Sequence, residues 1–153
     1  MNRTHVNGFT LIEIAVSIGI IAILAGLVLV AINPSRQFAQ ARNTQRLSHV
    51  NQILSAIGLR IADKKGMFET GCAAGAIPTT ATNMKQSGAY DIAPCLVPTY
   101  LATFPFDPGA AGSHYTSLTD YASGYTIQRD ATSGRITVSA PNAELEETIS
   151  STR

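Results

Sequence analysis

Residues 9–32 read FTLIEIAVSIGIIAILAGLVLVAI, and the reading of this stretch decides the fold. Nineteen of its 24 residues are apolar, the exceptions being Thr10, Glu13, Ser17, Gly19 and Gly26. From Ile14 to Ile32 no charge interrupts the run for 19 residues. At a rise of about 1.5 Å per residue, that is the length an α-helix needs to cross a hydrocarbon core. The stretch therefore predicts a membrane-inserted helix. A cleaved secretory signal is the competing reading, but its apolar region usually spans about 7–15 residues, follows a more basic start and ends in an A-x-A-like site. Here the start carries only Arg3, and the exit reads Val30-Ala31-Ile32-Asn33. Glu13 stands out, because a carboxylate near hydrocarbon is costly unless it is paired, protonated or able to reach water. It is either a functional residue or a helix-end carboxylate that snorkels to the headgroups. Ala15 and Gly19, then Ala22 and Gly26, lie four apart on one side of the helix. Such small-residue spacing lets apolar helices approach closely, and it is also common in membrane helices rich in Ala and Gly.

Outside this stretch the chain is ordinary in composition. It has 153 residues, 14% of them charged, with a net charge of +1, which leaves room for one modest globular domain and gives no electrostatic footprint for nucleic acid. Charge is divided unevenly. Residues 1–62 carry five arginines against Glu13, or +4, while residues 63–153 carry six basic and nine acidic side chains, or −3. After Ile32 comes Asn33-Pro34-Ser35, where proline predicts a kink or short break and Asn33 or Ser35 a new cap. From Gln37 to Ala62, Leu47, Val50, Leu54, Ile57 and Ile61 recur at three and four residues, the pattern of an amphipathic helix resting on a sheet. That register puts Arg36, Arg42, Arg46 and Arg60 on a solvated face or toward an acidic partner. Lys64-Lys65-Gly66 supplies the stop. Residues 66–99 have a periodicity too weak to define a core. Tyr125–Gln128 and Arg135–Ser139 alternate with period two around a turn-rich connection and predict a hairpin, with a third strand near His114 to Thr119. The tail from Pro141 to Arg153 reads as a short helix or a frayed end. No phosphate-binding glycine loop, H-E-x-x-H or G-x-S-x-G is present, and His5, His49 and His114 are scattered. An enzyme is not expected.

The hexapeptide Gly8-Phe9-Thr10-Leu11-Ile12-Glu13, with a short polar leader before it and the long apolar run after it, resembles the type IV pilins and the pseudopilins of type II secretion and DNA-uptake systems. The resemblance implies that a membrane-embedded prepilin peptidase cuts after Gly8 and methylates the new amino terminus at Phe9. It also implies that Glu13 pairs with the terminal amine of a neighbouring subunit as the apolar helices bundle. Two buried charges would compensate each other there, and removing one strands the other, so Glu13 would act as a register device. The leader departs from the family pattern by offering only Arg3 and His5 as basic residues. Tyr100-Leu101 and Pro105-Phe106-Asp107-Pro108 are similar to the Y-L and P-x-D-P stretch of pilins and major pseudopilins, read as a short turn leading into the sheet.

The implied fold is α+β and pilin-like: a long N-terminal helix, its first half membrane-spanning and its second half amphipathic, packed on a small antiparallel β-sheet. The implied divisions are a leader at 1–8, a transmembrane and assembly helix at 9–32, an amphipathic helix at 33–65, and a globular head at 66–153 with an αβ-loop and C-terminal hairpin. In a translocated head, Cys72 and Cys95 read as a disulfide adding on the order of 3 kcal/mol, and in a reducing compartment as two thiols. Some major pseudopilins bind calcium, but Asp107, Asp120 and Asp130 are candidates only by composition, and a hard cation takes about six or more oxygens. Neither metal nor cofactor is expected. The implied partners are further copies in a helical filament, prepilin peptidase, an inner-membrane assembly platform and, before assembly, the lipid bilayer, with no specific nucleic acid. The implied location is the inner membrane, N-terminus inside, and after assembly a surface or periplasm-spanning filament. The arginines beyond the apolar run oppose that orientation on the positive-inside rule. A surface pilus is favoured over a secretion pseudopilus, because the calcium-loop features are missing and a cysteine pair is present. A single-pass anchored binding domain that never polymerises, and last a tethered hydrolase using His114 or Asp107, are the alternatives.

Overall fold

The computed structural model describes residues 8–153, with residues 29–32 described by their backbone alone. Met1–Asn7 of the expected leader, with Arg3 and His5, lie outside the described residues. The chain divides into two units, Met1–Phe38 and Ala39–Arg153.

In the first unit, helix α1 runs over Leu11–Ile32. Thr10 starts it with a capping box: its hydroxyl oxygen accepts the Glu13 backbone N–H, and its own N–H donates back to the Glu13 carboxylate at 2.8 Å. Asn33 ends the helix in the left-handed conformation, with φ 44° and ψ 80°. Helix α2, Pro34–Asp63, begins at the next residue. Proline suits a first helical position, where its missing N–H costs nothing. The Asn33 side-chain oxygen accepts from the Ser35 hydroxyl at 2.7 Å and from the Arg36 N–H at 3.4 Å, so the expected break is one residue long and Asn33 is the new cap.

The second unit holds the rest of α2, then β1 (Thr82–Lys85), α3 (Ala93–Leu96), β2 (His114–Ser117), β3 (Asp120–Arg129), β4 (Ile136–Ala140) and β5 (Ile149–Thr152). All strand pairs are antiparallel, in the order β1-β3-β4-β5, and β2 pairs with the first residues of β3. Period-two alternation buries Tyr121, Ser123, Tyr125 and Ile127 of β3 and Ile136, Val138 and Ala140 of β4. Val50, Ile53, Leu54, Ala56 and Ile57 of α2 join them in one core. The layout is the α+β one implied by the resemblance: an apolar N-terminal helix, then a helix against an antiparallel sheet.

Four expectations need correction. Leu47 is 48% exposed and Ile53 is fully buried, so the helix stripe begins one turn later than its spacing suggests. Arg46 and Arg60 do not face solvent but are 1% and 5% exposed. Residues 66–99 do contribute to the core, through Phe68, Ile77, Met84, Tyr90, Ile92 and Leu96. The tail is neither helical nor frayed, since β5 pairs with β4 and the Arg153 N–H donates to Ile136 at 3.0 Å.

Arg60 explains how a segment without periodicity becomes ordered. Its guanidinium donates to the backbone carbonyls of Phe68 (2.9 Å), Cys95 (2.8 Å) and Thr70 (2.8 Å), and lies 5.3 Å from the Phe68 ring centroid. Cys72 and Cys95 are disulfide-bonded, with Cα atoms 5.3 Å apart. One helix side chain and one covalent bond thus fix the same loop at overlapping points. Replacing Arg60 strands the buried contacts to the Phe68 and Cys95 carbonyls, each worth about 1–3 kcal/mol when left unsatisfied in the interior, while the Thr70 carbonyl lies at the surface. Arg60→Leu should lower the stability of the full-length protein in detergent by about 2–4 kcal/mol in chemical denaturation. An unchanged midpoint would contradict this role.

Candidate functional site: the N-terminal junction and the arginine cluster

At the N-terminal junction the backbone leaves Gly8 and Phe9 outside the helix, and the Phe9 side chain is 85% exposed. Glu13 is folded back onto this junction. One of its carboxylate oxygens accepts both the Thr10 N–H and the Thr10 hydroxyl at 2.8 Å, while Ser17 donates to its carbonyl at 2.7 Å. Geometry therefore places the carboxylate beside the residue that follows Phe9. The window Leu11–Val28 has a mean hydropathy of 2.6 and none of it is buried. A side chain at Gly19 or Gly26 would meet nothing within 4 Å, so the small-residue face is open to a neighbour.

The second constellation escaped the sequence reading. Asp107 of the Pro105-Phe106-Asp107-Pro108 turn is buried and accepts from Arg46 twice, Nε at 2.9 Å and Nη2 at 3.0 Å, and from the backbone N–H groups of Gly109 and Ala110. Arg46 also donates to Glu144 at 2.8 Å and to the side-chain oxygen of Asn43 at 2.8 Å. Arg42 grips Glu144 with two bonds of 2.7 and 2.6 Å. Asn43 in turn clamps the Glu144 backbone, accepting its N–H at 3.0 Å and donating to its carbonyl at 2.7 Å. Two of the helix arginines, Arg42 and Arg46, thus find their acidic partners within the same molecule. Only the acids in the tail and turn, spaced about 60 and 100 positions from α2, could have signalled it, and spacing of that kind carries no local pattern.

This clamp supports an unusual turn. Leu145 and Glu146 both have φ of 59°, a left-handed conformation that costs a residue with a side chain about 1–2 kcal/mol. The Leu145 side chain is 42% exposed.

Chemically the cluster is saturated rather than reactive. Among the described residues, no buried side-chain nitrogen or oxygen lacks a partner, and no group of three or more His, Cys, Asp and Glu is placed to hold a metal. Asp107, Asp120 and Asp130 are engaged separately, by Arg46, by His114 and by the turn at Thr132–Ser133. His49 shares a 2.9 Å hydrogen bond with the Tyr125 hydroxyl, and burial pushes its imidazole below the ordinary value. His114 is exposed and raised by its hydrogen bond to Asp120.

Hydrogen bonds from Arg42 first and Arg46 second hold the Glu144 carboxyl at about 2, against an ordinary 4.5. A carboxyl lowered by folding stabilises the fold above its unfolded value and loses that contribution as pH falls through the folded one. The stabilisation should therefore be complete above about pH 4.5 and disappear toward pH 2. Thermal melts of Glu144→Gln should show a shallower decline than wild type across that window, and parallel curves would rule the clamp out as an acid-sensitive element.

No curated protein and no solved structure matches the chain. A family model does match over residues 3–29, a span that includes Gly8, Phe9, Thr10 and Glu13 and most of α1. The match indicates a structural rather than an enzymatic class and implies processing by prepilin peptidase and polymerisation, while the apolar helix is consistent with membrane anchoring. By those residues the chain carries the prokaryotic N-terminal methylation motif, which is characteristic of type IV pilins and pseudopilins.

Proposed function

We propose that the protein is a prepilin: a structural subunit of a type IV pilus-like filament, held in the inner membrane by residues 9–32, cut after Gly8, methylated at Phe9 and polymerised through α1. The observation that carries this reading is the methylation motif lying over a capped apolar helix whose stretch Leu11–Val28 is nowhere buried by its own chain. Such a surface is stable in lipid or against other copies of itself, not in water. Residues 1–8 are the leader, 33–65 the helix leading into the head, and 66–153 the head outside the membrane, where the Cys72–Cys95 disulfide suits an oxidising compartment.

Glu13 has the role of a register device. Its position in the capping box supports this, because cutting before Phe9 creates an amine next to the Thr10 N–H that Glu13 already accepts. In a bundle of copies, the amine of one subunit and the carboxylate of the next can exchange these contacts without leaving either charge unpaired in an apolar interior. A pseudopilin of a secretion or DNA-uptake system is the second reading, favoured by the same motif, which is common to both.

Coexpression with a prepilin peptidase should remove residues 1–8 and leave a methylated Phe9 in intact-mass and N-terminal analysis, and Gly8→Val should abolish both changes. An uncut chain beside a control prepilin that is processed would favour an anchored domain that never polymerises. A Glu13→Leu variant, still processed and stable, should assemble poorly or out of register; wild-type assembly would remove Glu13 from the mechanism.

A further inference from the structure

At the opposite end of α2 from the Glu144 clamp lies a pocket of about 220 Å³. Asn43, which holds the clamp, and Ile61, which lines the pocket, are 18 residues apart on one helix, a rise of about 27 Å. Ile61, Phe68, Ile77 and Ile136 give the pocket apolar walls, and Met67, 53% exposed, stands at its mouth. Arg129 also lines it. Its guanidinium lies against Gly134, where an added Cβ would meet Nη2 at 3.7 Å, and its side chain makes no hydrogen bond or salt bridge among the described residues. Glu69, the other charged lining residue, is exposed.

The clamp end presents an exposed leucine beside an exposed carboxylate. The Asn43 and arginine contacts to Glu144 hold Leu145 and Glu146 in successive left-handed conformations, with Leu145 projecting and Glu146 exposed beside it. Glycine adopts that backbone without penalty. The chain instead places a branched apolar side chain and a carboxylate there, and strain retained against an easier alternative points to a use for the side chains.

We propose that Leu145 and Glu146 of one copy dock into the Arg129 pocket of the next, with Leu145 against Ile61, Phe68 and Ile136 and the Glu146 carboxylate on the Arg129 guanidinium. The occupant is a second copy of this chain because an exposed leucine flanked by a carboxylate, and a mixed pocket carrying a cation with no side-chain partner among the described residues, are set well apart along the same helix and are complementary in charge. A contact between two different patches is heterologous, and when its rotation does not close it propagates as a filament. The inference rests on the filament reading and deepens it: heads stack end to end while the N-terminal helices bundle.

The test uses the full-length chain in a host with its assembly machinery. A Leu145→Cys, Met67→Cys double variant should give, on mild oxidation of its filaments, a ladder of covalent multimers in non-reducing gels, while each single variant, whose cysteine faces no other cysteine across the contact, stays monomeric. Filaments that form normally but yield no ladder would overturn the docking and leave the filament reading standing. A parent chain that forms no filaments would remove both. A covalent adduct of Met67→Cys with a different protein would assign the pocket another occupant and overturn the proposal. In a second arm, Arg129→Glu should lower filament yield and Glu146→Arg should restore it in the combined variant, whereas undiminished yield with Arg129→Glu alone would count against the pairing.

Discussion

The structure turns on an apolar helix that its own chain does not cover. Between Leu11 and Val28, eleven Leu, Ile and Val side chains stand exposed, and burying one such side chain is worth about 1.5–3 kcal/mol. Against a native stability of about 5–15 kcal/mol for a whole domain, that surface cannot be left to water. Lipid and the helices of other copies are the two environments that solve this problem. The N-terminal methylation motif at the head of the helix and a carboxylate folded back onto the helix cap fit a chain that passes from one to the other.

The head meets a different constraint. Its second helix must be uncharged enough to pack on a sheet and yet hold long irregular segments that have no pattern of their own. Two buried arginines resolve this. Arg60 supplies donors to the disulfide loop, and Arg46 supplies them to Asp107 and Glu144, so that the αβ-loop, the P-x-D-P turn and the tail are all referenced to α2. Buried ion pairs of this kind add little net stability over an apolar replacement, but losing one partner is costly, commonly about 3–5 kcal/mol, which suits them to specifying one arrangement. The strained Leu145–Glu146 turn is held by the same clamp.

What the sequence made legible were the features written in periodicity and in motif. The apolar run, the break at Asn33-Pro34, the stop at Gly66 and the alternation of Tyr125–Gln128 with Arg135–Ser139 each have a local signature, and each appears in the structure where that signature lies. Hidden features depended on long-range pairing. Arginine at three- and four-residue spacing looks the same on a solvated face as in a buried network, because the acids that bury it are distant in sequence. The strand β5, Ile-Ser-Ser-Thr, has one apolar residue and shows itself only through its pairing with β4. For the functional site, the junction from Gly8 to Glu13 was legible because the methylation motif is a contiguous peptide. The clamp and the Arg129 pocket were not, because neither is contiguous.

The central claim is that α1 exchanges a lipid surround for a surround of its own copies. Labelling with a lipid-soluble photoreactive carbene reagent, mapped by mass spectrometry, measures this directly on the membrane-held protein and on assembled filaments. Modification should concentrate in residues 11–28 in the membrane and fall sharply on assembly. Equal modification in both states, or none in the membrane, would contradict the account.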